Sequence, residues 1–534
     1  MTGDGKGPRD MLIMYEGVPV YTLWDECPRA EALVVRDGVI CAVGSRREMM
    51  AQFPGARRVV LEGGAMVPAF NDAHCHILST GLDLTKANLR DCRSVGEIEA
   101  RLQSWNEEGK NGGWILGVGY NHNLLPNGCH ISRHDLDRVA PGRPILVRHS
   151  SGHCAVVNSK ALELSGVTSH TPDPTGGLIL RNEGGEPTGV LLEPNAIELV
   201  EKKVPPPTLD EMTSAILKAA DRMARMGILS ASDAWTGKLS GLEAEWQAYA
   251  KALERGAPVR VTLMPEYKQA ADAGWLNRDA VIPPAHHPNL RLGAIKLFLD
   301  GAITPRTAAL KEPYEDGSVT PIMVYQSEEF MEMVINAHLG GWQLAVHAIG
   351  DKAVERVIQA YSRAQEVMPR PDARHRIEHC TVVSDEMIKQ MARLGIVVVT
   401  QPEFIHYWDH GIVSALGERS KRCMPFRSWA EAGVAVGFGS DQPVVPGDPV
   451  IGWREAVTRM HRGGSVVGSE ERLDPLTALE CFTVGSSYAI FDPAVGCLAP
   501  GKRADFIVLS HLPEEIAEAD MKVLASSCFL VPGN

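Results

Sequence analysis

Along the chain, short apolar runs rich in Val, Ile, Leu and Ala alternate with longer stretches whose apolar residues recur every three or four positions. The short runs predict strands buried on both faces, and the longer stretches predict amphipathic helices that bury one stripe. Eight strand runs can be counted, at residues 64–76, 227–235, 259–266, 290–301, 342–350, 375–380, 395–402 and 434–441. Helical patterns occupy many of the gaps between them, at 209–227, 327–341, 351–368 and 384–395. Eight strands with helices between them predict an α/β fold of the (β/α)8 TIM-barrel type over residues 68–489.

Two regions break the alternation. Residues 77–208 are far too long for one crossover connection, and the Gly/Pro-rich stretch "PDPTGGLILRNEGGEPTGVLLE" within them reads as a hairpin. This predicts an inserted subdomain, after barrel strand 1, that covers the barrel mouth. At the start of the chain, "ALVVRDGVICAVG" sets an Asp-Gly turn between two β-rich runs, and "GCLAPGKRADFIVLS" near the other end has the same character. A small composite β-sandwich is therefore expected from residues 1–67 and 490–534.

With 44% hydrophobic and 22% charged residues, the 534-residue chain has the composition of a soluble globular protein large enough for two or three folding units. A net charge of −13 without a basic run argues against nucleic acid or an anionic membrane as partner and favours a small, weakly charged molecule. No run of 18 apolar residues and no signal-like segment is present, so a cytoplasmic location is expected; the reading allows a homodimer. Eleven cysteines without a C-x-x-C pair indicate neither a disulfide framework nor a cysteine-type zinc site.

The strand ends carry the candidate chemistry. With 18 histidines in 534 residues, about 0.6 H-x-H pairs arise by chance, so His74 and His76 in "NDAHCH" prove little alone. They gain meaning because they share parity with Asp72 at the end of the first strand, while His347, His379 and Asp441 end the fifth, sixth and eighth. In such a barrel the strand C-termini form the active site, and imidazole and carboxylate are good ligands for a zinc ion that keeps a position open for water. Cys75 lies between the two histidines and points the other way.

Lys296 sits inside an apolar run, where an unpaired ammonium is costly. Burial lowers an amine's pKa, and a neutral amine takes up CO2 to give a carbamate whose oxygens can bridge two metal ions. The structural alternative is an ion pair with Asp300 or a side chain that reaches the mouth. His153, in the insertion, is placed to orient or polarise a substrate carbonyl. Asp300, Arg306, Tyr120 and Asn121 are candidate substrate contacts, and Asp351 stands where a helix cap belongs.

As an ordered set, "DAHCH", Lys296, "HAIGD", "RIEHC" and "GSDQPV" resemble the amidohydrolase superfamily, in the YtcJ-like branch that includes N-substituted formamide deformylase. The resemblance covers nearly the whole chain, with Ser151 standing where the pattern often has an acidic residue. It implies that His74 and His76 bind one divalent ion, most simply Zn2+, with Asp441; that His347 and His379 bind a second; and that carboxylated Lys296 bridges them. A hydroxide held between the ions is then the nucleophile, and Asp441 fits a general base that returns the proton to the leaving nitrogen. The implied activity is hydrolysis of a non-peptide C–N bond in an N-substituted amide or formamide. A cyclic amide or imide hydrolase and an esterase or lactonase are alternatives, since one mechanism serves them all. Lys296 disfavours a one-metal deaminase, and the complete ligand set disfavours a non-catalytic scaffold.

Overall fold

The computed structural model describes residues 11–107, 113–126, 128–277, 287–319, 323–408 and 411–526. The parallel strands form two sheets. One holds Leu290–Leu292, Arg260–Pro265, Ile228–Thr236 and Phe70–Cys75 in that order, and the other Ile295–Phe298, Leu344–Ala348, Arg376–His379, Val397–Thr400 and Val436–Phe438. The sheets are linked at both edges. After Val436–Phe438 the chain runs beside the first strand, with the Asp441 amide donating to the His74 carbonyl at 2.7 Å and the His76 amide to that of Gln442 at 2.8 Å. On the far side a parallel bridge pairs Glu266 with Lys296.

The run 290–301, expected as one strand, is two. At the break, the Gly293 amide donates to the Leu263 carbonyl at 2.8 Å, and a Cβ there would lie 2.6 Å from the Thr262 side chain. Only glycine permits that approach, and beyond it the chain changes partner from Arg260–Pro265 to Leu344–Ala348.

Helices pack on the strands as their periodicity predicts. Leu209–Arg225 starts at a capping box formed by Thr208 and Glu211 and buries Met212, Ile216, Ala219 and Met223 in the main core. Burial of each Met or Ile contributes about 1.5–3 kcal/mol. The helix Ile77–Asp83 lies so close to it that a Cβ on Gly81 would sit 2.0 Å from the Ala215 carbonyl oxygen.

Within the long interruption of the pattern, strands between Ala87 and Leu192 form a separate six-stranded sheet with an apolar cluster on each face, one including Leu102, Val147 and Val156, the other Leu146, Val157 and Leu191. At the chain ends, five strands between Ile13 and Pro68 join Phe506–Leu509 and Val523–Ser526 in one seven-stranded network, with Phe506 paired to Pro68. The expected sandwich is thus a single hydrogen-bonded network, because Ile13–Tyr21 changes partner along its length. Residues 1–10 and 527–534 of that expected unit lie outside the described residues. Among the described residues, no helix is long and apolar enough to cross a membrane.

Candidate metal centre

The strand ends converge. His74, His379 and Asp441 each place one donor atom so that all lie within 4.8 Å of one another. His76 joins them, its Nε2 3.0 Å from Asp441 Oδ1, and the Nε2 of His74 lies 3.5 Å from the same oxygen. His347 stands next to His379, ring centres 4.5 Å apart. That trio takes two residues from one implied ligand set and His379 from the other.

Three of these rings are held by a protein partner through one nitrogen. His74 Nδ1 bonds the Glu378 carboxylate, His379 Nδ1 lies 2.7 Å from Gln401 Oε1, and His347 Nε2 lies 3.1 Å from the Gly301 carbonyl oxygen. Such partners fix the tautomer and direction of a ligating imidazole. Glu378 is itself held by Arg376, whose Nε and guanidinium nitrogen donate to its two oxygens at 2.7 Å each.

The protonation states suit a metal. Burial holds His379 down to about 3 and His347 well below the ordinary imidazole value, so both are neutral at pH 7. Burial opposes ionisation of Asp441, but hydrogen bonds from His74 and His76 outweigh it and keep the carboxyl well below its usual range. Lys296 is fully buried, and its Nζ has no hydrogen-bond partner; it lies 4.7 Å from the centre of the Phe298 ring. Burial pulls its ammonium down to about 8, against the pull of Glu378 and Asp441. With neutral imidazoles, an ionised carboxylate and a buried amine free of hydrogen bonds gathered at one place, the residues fit the divalent ions that the donor set implies.

Backbone strain gathers at the same place. His379, Asp441 and Glu193 have φ of 69°, 56° and 67°. A left-handed non-glycine residue costs on the order of 1–3 kcal/mol and persists where surrounding structure imposes it, most often at functional sites.

The insertion adds a second pair. Cys154 and Leu192 are opposite each other in adjacent antiparallel strands, which brings the next residues outward, His153 and Glu193, together. His153 Nδ1 lies 2.7 Å from Glu193 Oε2, and the Glu193 amide donates to the His153 carbonyl at 2.7 Å. Burial disfavours a charged His153, but Glu193 outweighs it and raises its pKa. The ring of His153 is 5.0 Å from that of His347. Ser151 uses its Oγ to accept the His153 amide at 3.2 Å, so it shapes the turn without a charge.

Other candidates lie elsewhere. Asn121 lines the cavity over the centre, where its Oδ1 accepts the Asn123 amide at 3.0 Å. Tyr120 is fully buried in the core of the insertion, its hydroxyl 2.6 Å from His130 Nδ1, so it does not reach the cavity. The Asp300 carboxylate is taken up by the amides of Ile349, Gly350 and Ala309, each at 2.9 Å, and so holds loops together instead of facing substrate. Arg306 pairs with Asp316 at 2.7 Å, away from the cavity wall. Gly350 occupies the cap position expected of Asp351, which instead accepts the Lys311 amide at 2.8 Å. Asp72 accepts the Ser440 amide at 2.9 Å and so ties the last strand to the first; Cys75 is buried on the outer side, its thiol near the Ser232 carbonyl.

Glu378, Gln401 and Glu193 are functional candidates that the strand-end pattern does not mark. Glu378 precedes a candidate ligand and could be sought by parity with Arg376, but nothing in the local sequence signals Gln401 or Glu193.

Above the centre opens a cavity of about 330 Å³ whose wall includes His153, His347, His379 and Asp441. Parallel strands delivering a buried His/Asp set to the floor of a cavity define a metal-dependent hydrolase. The chain belongs to the amidohydrolase family, whose profile matches residues 59–533. It is 32% identical to the YtcJ protein of Bacillus subtilis (strain 168), over 96% of this chain and 97% of that one. It is 27% identical to N-substituted formamide deformylase of Arthrobacter pascens, over 97% and 96% of the two chains. The crystal structure of an uncharacterized metal-dependent hydrolase from Pyrococcus horikoshii OT3 superposes with a TM-score of 0.73 at 26% identity, covering 94% of this chain and 98% of that one.

Proposed function

We propose that this amidohydrolase cleaves the C–N bond of an N-substituted amide, at a centre in which His74, His76 and Asp441 hold one divalent ion, His347 and His379 a second, and Lys296 both. The observation that carries this reading is the convergence of His74, His379 and Asp441 beside the unpartnered Nζ of Lys296. Lys296 would help hold both ions if its amine added to CO2, forming an N–C bond and losing a proton to give a carbamate. The two linked sheets are then parts of one closed barrel of eight strands, with Leu290–Leu292 and Ile295–Phe298 counted as one divided strand, the chain ends a composite unit beside it, and the insertion a cover for its mouth. The similarity to N-substituted formamide deformylase supports an amide as substrate.

Bound divalent ions lower the pKa of water and polarise a carbonyl, which makes an activated serine or cysteine unnecessary. Asp441 accepts the proton of the attacking water and passes it to the nitrogen as the C–N bond breaks. His153 donates from Nε2 to the carbonyl oxygen as negative charge builds there, and Glu193 fixes the tautomer and direction in which it does so. The cavity wall keeps bulk water from the reacting carbonyl.

The test is removal of metal by a chelator, followed by addition of Zn2+, Mn2+ or Fe2+, with N-substituted formamides, acylamides, cyclic imides, lactones and aryl esters as substrates. Hydrolysis is expected to vanish on stripping, to return with one of the ions, and to be fastest on acyclic amides. Protein that binds no ion, or an activity indifferent to the chelator, overturns the reading. A narrower prediction concerns the pair on the insertion. Glu193→Gln is expected to lower kcat by about 10–100-fold with KM changed less than threefold, the pattern of an interaction made only in the transition state; an equal rise in KM would instead assign the pair to substrate binding.

A further inference from the structure

His153 rides on a hairpin loop. The strand Ile145–His149 ends at His149 and Cys154–Val157 returns antiparallel to it, so residues 150–153 make the connection and put Ser150, Ser151 and His153 on the cavity wall. A donor aimed at a building charge must be held to within about 0.5 Å, and a loop gives less support than a strand. Glu193 holds the His153 ring; the loop itself is held by two buried imidazoles that the chemistry above does not use. His149 reaches the loop that it opens: its Nδ1 lies 3.0 Å from the Ser151 amide nitrogen and 2.9 Å from Ser151 Oγ, which in turn accepts the His153 amide at 3.2 Å. Its Nε2 lies 3.0 Å from Nδ1 of His122, whose ring is stacked on that of His130 with centres 4.0 Å apart.

These contacts leave one arrangement of protons. An amide nitrogen only donates, so His149 Nδ1 is bare and accepts from Ser151, whose hydroxyl hydrogen points to the same nitrogen while its oxygen accepts from His153. The His149 proton is then on Nε2 and is donated to a bare His122 Nδ1. The chain is satisfied only while both rings are neutral, because a further proton on either would set one N–H against another. Burial, with His130 beside it, holds His122 down to about 3, and burial, with His122 and His130 beside it, holds His149 well below the ordinary imidazole value.

Resting on the role given to His153 in the amide reading, we infer that His149 is a positioning residue for His153: its bare Nδ1 ties down the loop from which His153 donates to the substrate carbonyl, and His122 fixes the tautomer that leaves that nitrogen bare. A loop released from Nδ1 keeps the bond between His153 and Glu193 but no longer aims the donor where negative charge builds. The loss falls on the transition state and leaves substrate binding nearly as it was.

The test is a double-mutant cycle on the metal-loaded full chain, with N-benzylformamide or N-benzylacetamide, whichever is hydrolysed faster. H149F keeps a buried ring and removes Nδ1, H153Q removes the donor that His149 is inferred to aim, and S151A, which removes only the hydroxyl link, replaces H149F where that variant folds poorly. H149F is expected to lower kcat by about tenfold or more with KM changed less than about threefold, and to lower it less than about twofold further in protein that already carries H153Q. A part in folding alone would lower kcat by the same factor in both backgrounds. Equal factors in the two backgrounds, or a kcat within about threefold of the parent for both H149F and S151A, overturn the inference. If H153Q leaves kcat unchanged, the inference falls with the role of His153 while the amide reading stands. If the metal-loaded parent hydrolyses neither amide nor any other acyclic amide, the amide reading fails and takes this inference with it.

Discussion

Replacing Asp441 by Asn is expected to lower kcat by about 10²–10⁴-fold on the best amide, the range for loss of a positioned proton carrier. Asn keeps the size and shape of the side chain but loses the charge and the capacity to take up a proton. Asp441 accepts hydrogen bonds from His74 and His76, which hold it ionised despite its burial, so its negative charge is also part of what attracts a cation here. The variant is therefore expected to bind metal more weakly, and the comparison of kcat belongs at saturating metal, with metal content and far-UV circular dichroism measured alongside. The strained φ of 56° at this position is tolerated by Asn more readily than by most residues, which keeps the fold out of the comparison. A fully metal-loaded, folded Asn variant within tenfold of the parent would remove Asp441 from proton transfer.

Lys296→Met separates function from stability in the opposite sense to most buried substitutions. The Lys296 Nζ has no hydrogen-bond partner in the protein and is fully buried. A polar group buried without a hydrogen bond costs roughly 1–3 kcal/mol by protein mutational data, and a hydrophobic side chain of similar length removes that cost. In metal-free protein the variant is expected to melt at or above the parent temperature. In metal-supplemented protein it is expected to lose activity by more than about 10²-fold and to bind fewer ions, as follows if Lys296 holds both ions in the proposed centre. Parent protein prepared with carbon-13 bicarbonate should show a carbamate carbon resonance that the variant lacks. A variant that melts well below the parent and still binds its full complement of metal would make Lys296 a structural residue.

The strand ends were legible from the chain because burial on two faces leaves a run of apolar residues, and any polar residue closing such a run stands out. His74 and His76 were readable as a pair by parity, and His347, His379 and Asp441 by their place after an apolar run. Glu378 and Gln401 were not, since they act through His74 and His379 and their partners are 304 and 22 residues away in the chain. Glu193 was hidden in the same way: it meets His153 only because two strands of the insertion pair in one register. Asp300 shows the reverse case, a carboxylate that looked available in sequence and is fully engaged by three backbone amides.

By itself the sequence determined the alternation of strands and helices, the place of the long insertion, and which side chains face inward at the strand ends. These are local consequences of hydrophobic periodicity and of the two-residue repeat of a strand. Only the tertiary structure decided which nitrogens of His74, His347 and His379 are held by protein partners, that the Lys296 amine has no hydrogen-bond partner, and that the fourth strand divides at Gly293. Each of these depends on hydrogen bonds and close approaches between residues far apart in the chain, which the order of residues alone does not encode.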